Sequence, residues 1–196
     1  MTLVGRVALL VVLNVCWLLC CVPVVTIGAS SAALYAVLLD REDHSYLSAV
    51  PAFFRELRRC FKTATCLWLP FLLLGLLLTL DLHLLVTHQM MNNALLLTPL
   101  LVAAALWGIT LLWLHPVLAR RPDQSPGAVL RRAFLMGLGE LWRSLAALIL
   151  HAAPAVLFFF FPHIFWKLAP YWTLLGFALI ARLTLALFEP VLNKVQ

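Results

Sequence analysis

Apolar runs long enough to cross a bilayer recur along this chain, and no other feature constrains its fold so tightly. A helix rises about 1.5 Å per residue against a hydrocarbon core of about 30 Å, so roughly 20 apolar residues make one crossing. Four runs meet that length: Thr63 to Leu80, Leu95 to Leu118, Leu145 to Phe161, and Tyr171 to Phe188. A fifth, Val7 to Leu39, is uncharged throughout, too long for one crossing and slightly short for two. Pro23 and Gly28 interrupt it, which predicts a full helix before Pro23 and a shorter one after Gly28. The expected fold is all-α: a polytopic transmembrane helix bundle of five or six crossings, with residues 1–196 forming a single integral membrane domain.

Composition agrees. The chain is 64% hydrophobic and 11% charged with mean hydropathy +1.03, whereas soluble domains are about 45–50% apolar and about 25% charged. Too little polar surface is present to clothe a water-soluble enzyme. A cleaved signal peptide would account for Arg6 and the small residues at Ala29 to Ala32. The apolar stretch is, however, longer than an h-region of about 7–15 residues. Cys16, Cys20, Cys21, Cys60 and Cys66 form no CxxC pair and have no histidines at zinc-finger spacing, so they read as reduced packing residues.

Ten of the 14 Lys and Arg fall between Asp40 and Lys62 or between Ala119 and Ser144, whereas the loop Asp81 to Ala94 has none. The positive-inside rule makes both basic segments and the C-terminus cytoplasmic. A helical hairpin over Val7 to Leu39 would put Arg6 on that side too; a single crossing would not. Each basic segment carries a helix expected to run along the membrane surface. In the first, Phe53, Phe54, Leu57, Cys60 and Phe61 share one side, and Arg55, Arg58, Arg59 and Lys62 the other. Those four cations are candidates for anionic headgroups or an acidic partner. The second, Pro126 to Arg143, is apolar over most of its circumference and is expected to be buried against the bundle. Trp68 and Trp113 fall near the inner boundary, and Phe158 to Phe161, Trp166, Tyr171 and Trp172 near the outer one, as interface belts do. The outer cluster lacks the positive charge a nucleic-acid stacking surface needs, so nucleic acid is excluded as a partner.

The run from Asn14 through Trp17, Pro23, Thr26, Gly28, Ala29, Ala33, Leu34 and Tyr35 resembles the opening signature of the YesL family of bacterial multi-pass membrane proteins, a domain of unknown function. The similarity continues through Phe53-Phe54 and Arg58, Arg59, Phe61 and Lys62 into Trp68, then more loosely through His115-Pro-Val-Leu-Ala-Arg and Phe188-Glu-Pro-Val. His115 departs from the family's usual aromatic. The resemblance implies an integral protein of the cytoplasmic (inner) membrane, often encoded beside carbohydrate ABC-transporter components, and no known activity.

Thr26-Ile-Gly-Ala-Ser-Ser is the sharpest chemical candidate. A helix starting near Gly28 inside the membrane would present free N–H groups and a positive dipole end, as broken-helix transporters do toward anions. Alternatively Thr26 or Ser30 caps that helix, and its glycine and alanines permit close packing. Asn14 reads as interhelical glue or a substrate contact. Arg182, the one charge deep in a span, needs a partner such as Glu189, carbonyls freed near Pro23 or Pro154, or a substrate. Asp81, His83 and His88 are read as a solvated loop rather than a metal site. His151 is expected to bond across helices. No Gly-x-Ser-x-Gly, His-Glu-x-x-His or P-loop occurs. Gly139 and Ile149 match only the spacing of the ATPase-docking loop of ABC permeases. The expectation is a non-enzymatic accessory component, without cofactor or metal, partnered by the lipid bilayer and ABC permease subunits. The alternative is a small autonomous transporter or channel, for example as a homo-oligomer.

Overall fold

The computed structural model describes residues 3–40, 46–88 and 93–193, and among these every regular element is helical. In order they are α1 (Leu3–Cys21), a 3-10 turn (Val24–Thr26), α2 (Ile27–Leu39), α3 (Tyr46–Thr87), α4 (Ala94–Arg120), α5 (Pro126–Gly139), α6 (Leu141–Phe160), α7 (Pro162–Tyr171), a π-helical stretch (Trp172–Gly176) and α8 (Phe177–Leu192). Among the described residues five segments are long and apolar enough to span: Val4–Cys21, Ser48–Thr87, Ala94–Arg120, Leu141–Phe160 and Pro162–Leu192. The chain is a multi-pass membrane protein. With 13 residues, α2 rises only about 20 Å, so it is a sixth apolar helix too short to cross alone.

That short helix is the centre of the bundle. A helix apolar all round must be covered all round, and nine residues of α2, from Gly28 to Leu38, are buried against α3, α4, α8 and α1. Gly28, Ala29, Ser30, Ala32 and Ala33 make it thin, letting four neighbours approach at once. Trp17 Nε1 donates to Ser31 Oγ at 3.1 Å, and the Thr26 hydroxyl donates to the Cys20 carbonyl, which folds α2 back along α1 as a hairpin.

The first basic segment departs from expectation. Phe53 to Lys62 is not a separate surface helix but the first part of α3, a single rod of 42 residues and about 63 Å. One face of it, Ala49, Ala52, Phe53, Cys60, Ala64 and Leu67, is buried in the protein core instead of in lipid. Phe54 and Phe61, expected on the same buried side, are exposed. At its far end α3 continues through Asp81 and His83 to Thr87, so the expected loop from Asp81 to Ala94 begins about two turns too early. Arg41 lies outside the described residues.

Proline and side-chain capping set the remaining boundaries. Asn93 caps α4 by accepting from the Leu95 N–H at 3.2 Å. Phe161, forced out of the helical region (φ −134°, ψ 60°) by Pro162 after it, ends α6. Glu140, at φ −122° and ψ 51°, breaks the expected Pro126 to Arg143 helix into α5 and the start of α6, so Arg143 belongs to a spanning helix. Helix α5 packs against α4 as expected, but on one side only: Val129, Ala133 and Gly137 are its buried residues, while Phe134 and Leu135 are exposed.

Antiparallel register between α3 and α4 is fixed by Arg59 with Asp123, Trp68 with His115 and Phe71 with Trp107. Burial follows the half of this hairpin that carries the basic residues. Beyond it Leu73, Leu76, Leu77, Leu80, Leu95, Leu101 and Val102 are exposed, as lipid-facing residues are. Trp113 is not an interface anchor: it is fully buried, stacked on Phe188 with centroids 3.8 Å apart, and its indole N–H donates to Ser144 Oγ at 2.8 Å. Trp166, Tyr171 and Phe158 to Phe161 are exposed.

Candidate functional site

Asn14 is fully buried on α1 and reaches the π-helical stretch. Its Nδ2 donates to the Thr173 carbonyl at 2.6 Å, and its Oδ1 accepts from the Ala178 N–H at 2.8 Å. Those two backbone groups are five residues apart, the donor and acceptor that an i→i+5 bond would join. The amide therefore bridges both groups, with Trp17 packed at a tilt against the adjoining Phe177, ring centroids 4.6 Å apart. Each end of the carboxamide bonds a backbone group of another helix, an interhelical arrangement.

The Thr26 to Ser31 turn is likewise filled. Pro23 is exposed with φ −77° and ψ 119°, and its carbonyl accepts from the Thr26 N–H at 3.0 Å. Neither Thr26 nor Ser30 caps α2. The Thr26 hydroxyl turns back to the carbonyls of Cys20 and Pro23, and Ser30 Oγ bonds the Thr26 carbonyl at 2.9 Å. The Ile27 N–H bonds the Val24 carbonyl, so the 3-10 turn leads directly into α2. Trp68 closes it from α3: its indole N–H donates to the Val24 carbonyl at 2.9 Å, and a Cβ on Gly28 would stand 2.5 Å from Trp68 Cβ. Tyr35, two turns along, is buried against Thr184 of α8.

Arg182 finds a backbone partner, though not one of those expected. Nη1 donates to the Leu38 carbonyl at 3.3 Å, among the last carbonyls of α2, where the helix dipole favours a cation. The residue is exposed on the bundle's flank rather than enclosed. Arg182→Gln is expected to lower stability by about 1 kcal/mol; a shift in thermal unfolding well above that would mark a larger role.

The four cations of α3 are all exposed, and two of them are paired within the chain. Arg59 bonds Asp123 at 3.2 Å and Glu56 at 3.6 Å, tying α3 to the α4–α5 connection, and Arg55 meets Glu56 at 3.3 Å. Arg58 and Lys62 are exposed. Exposed pairs contribute about 0–1 kcal/mol. Asp123→Asn is therefore expected to destabilise by less than about 1 kcal/mol, a difference that disappears at high salt when unfolding is followed by circular dichroism.

Asp81, His83 and His88 are exposed along the end of α3. His151 bonds the Ala147 carbonyl of its own helix at 2.8 Å, where a bond across helices was expected. Of the cysteines, Cys16 and Cys60 are buried but Cys66 is exposed, so packing does not account for all five. Sequence reasoning missed the corner at Glu140. There Ser144, fully buried, takes the Trp113 indole and lies 2.9 Å from the Gly137 carbonyl, while a Cβ on Gly137 would stand 2.6 Å from Ile109 Cγ2. The π-helical stretch was also missed; Pro170, just upstream, is its one cue.

Residues 10–82 match the family model described as a protein of unknown function, DUF624. The match covers over a third of the chain: most of α1, all of α2 and α3 as far as Leu82, which includes Asn14, the filled turn and the basic segment. No curated protein and no solved structure matches the chain.

Proposed function

We propose that this chain is a non-enzymatic accessory component of the bacterial cytoplasmic membrane that associates with the permease subunits of a carbohydrate ABC importer. One observation carries the accessory part of this reading. Asn14, Thr26, Ser30 and Arg182, the groups a solute would have to use, bond to the chain's own backbone, and Trp68 fills the turn at the head of α2. A conduit needs polar groups lining a water-filled path; here they fasten helices. The link to carbohydrate import rests on the YesL resemblance, and the exposed apolar flanks of α3, α4 and α6 offer surface for a larger membrane assembly.

Purification in mild detergent tests the reading: ABC permease subunits are expected at a stoichiometric ratio. A homo-oligomer that carries solute in liposomes would overturn it in favour of an autonomous transporter.

The cytoplasmic C-terminus is part of the proposal and has its own test. In a chain lacking the native cysteines, an impermeant thiol reagent on whole cells is expected to label His88→Cys and spare Gln124→Cys. The reverse pattern inverts the topology.

A further inference from the structure

A cleft of about 590 Å³ opens sideways between α5 and the α3–α4 hairpin, in the size range of ligand sites. We propose that it holds one anionic phospholipid, with an acyl chain along the hairpin and the phosphate on Arg131. This inference does not depend on the accessory role.

The lining is apolar on both walls: Phe71 and Leu74 from α3, Ala103 and Leu106 from α4, Leu130 from α5. These α3 and α4 residues belong to segments that span the bilayer, so the cleft opens toward acyl chains and not toward water. Helix α5 supplies the roof. Its Val129, Ala133 and Gly137 stripe is buried, and Gly137 packs directly on Ile109 of α4; Gly127, Leu130, Arg131 and Phe134, at helical spacing, line the cleft.

Arg131 is the one charged residue of that lining. It is exposed and makes no ion pair among the described residues, whereas Arg55, Arg59 and Arg143 all meet carboxylates. An unpaired guanidinium at the mouth of an apolar cleft complements a phosphate with a hydrocarbon tail: the planar fork takes two phosphate oxygens while the tail fills the groove. A neutral apolar solute would leave the guanidinium unused, and a free sugar phosphate would leave the groove unfilled. A headgroup with no amine of its own adds net attraction, which singles out an anionic lipid over a zwitterionic one.

The experiment is native mass spectrometry of the detergent-solubilised full chain, incubated with equal amounts of phosphatidylglycerol and phosphatidylcholine. Phosphatidylglycerol is expected to be retained in preference, as one lipid per chain. Arg131→Gln should weaken that retention about fivefold, the effect of one basic residue near an anionic surface, while Arg131→Lys weakens it less. Ala103→Trp, at an exposed position within the cleft, should remove the bound lipid whatever its headgroup, with thermal unfolding in lipid-free detergent unchanged in all three variants. Equal retention of both lipids by the native chain, an Arg131→Gln variant that binds like the native chain, or unchanged lipid in Ala103→Trp would each overturn the proposal. So would a dimer that Ala103→Trp dissociates, since a second copy would then be the occupant.

Discussion

Replacing Asn14 with leucine is expected to destabilise the bundle by about 2–6 kcal/mol, because it orphans the Thr173 carbonyl and the Ala178 N–H together, at about 1–3 kcal/mol for each buried group left unpaired. Water, which would take over those groups in a soluble protein, is scarce in the bilayer interior, so the upper part of the range applies if the site stays dry. Leucine has nearly the shape of asparagine, and packing changes little. The measurement is thermal unfolding in detergent. Asn14→Asp, protonated as burial dictates, keeps an acceptor for the Ala178 N–H and an O–H donor for the Thr173 carbonyl, so it should fall between the native chain and the leucine variant. A leucine variant of native stability would mean that the π-helical stretch closes its own ladder without α1.

Gly28→Leu is expected to abolish folding or insertion. Even a single added Cβ would stand 2.5 Å from Trp68 Cβ, 2.9 Å from Trp68 Cγ and 3.2 Å from the Ala64 carbonyl, and neither a Cβ nor a backbone oxygen can swing aside. Helices α2 and α3 would have to part, and α2 is the element on which four others converge. Gly28→Ala should already lose about 1–3 kcal/mol through overpacking, and leucine adds three more carbon atoms to the same gap. Gly108→Ala on α4 is the control. Nothing lies within 4 Å of its Cβ, so it should be neutral or stabilise by up to about 1 kcal/mol through helix propensity. Equal effects at the two positions, read by expression level and thermal unfolding, would remove the packing argument.

The helical class and the spans were legible because each depends on local composition summed over about 20 residues, which tertiary contacts cannot reverse in lipid. The break at Pro23 and the shortness of the helix after Gly28 were legible for the same local reason. What sequence could not supply was the ranking of elements. Residues 27–39 read as an ambiguous remnant of a span, yet they form the centre of the core, since nothing in Gly-Ala-Ser-Ser-Ala-Ala says which neighbours will close on it. The wheel over Phe53 to Lys62 separated apolar from charged residues. It could not say whether protein or lipid would cover the apolar side, and the answer is divided: Phe53 and Cys60 are buried by protein, Phe54 and Phe61 are not. Trp113 shows the same limit, because an interface tryptophan and a core tryptophan differ only in having a buried partner such as Ser144 for the indole N–H. Asn14 was legible as a polar residue needing partners; its two partners, about 160 residues away, became visible only with the fold.

The polar residues of α1 and α2 are fastened within the bundle, and thiol accessibility at Ser30 probes that arrangement. Serine to cysteine is nearly isosteric, and Ser30 is fully buried at the head of α2. In a chain whose native cysteines are replaced, Ser30→Cys should stay unreactive toward a small water-soluble methanethiosulfonate in folded protein, while Thr87→Cys on the exposed end of α3 reacts within the same time. Rapid modification of Ser30→Cys, slowed by an added solute, would show a water-filled path through α2 and contradict the accessory reading.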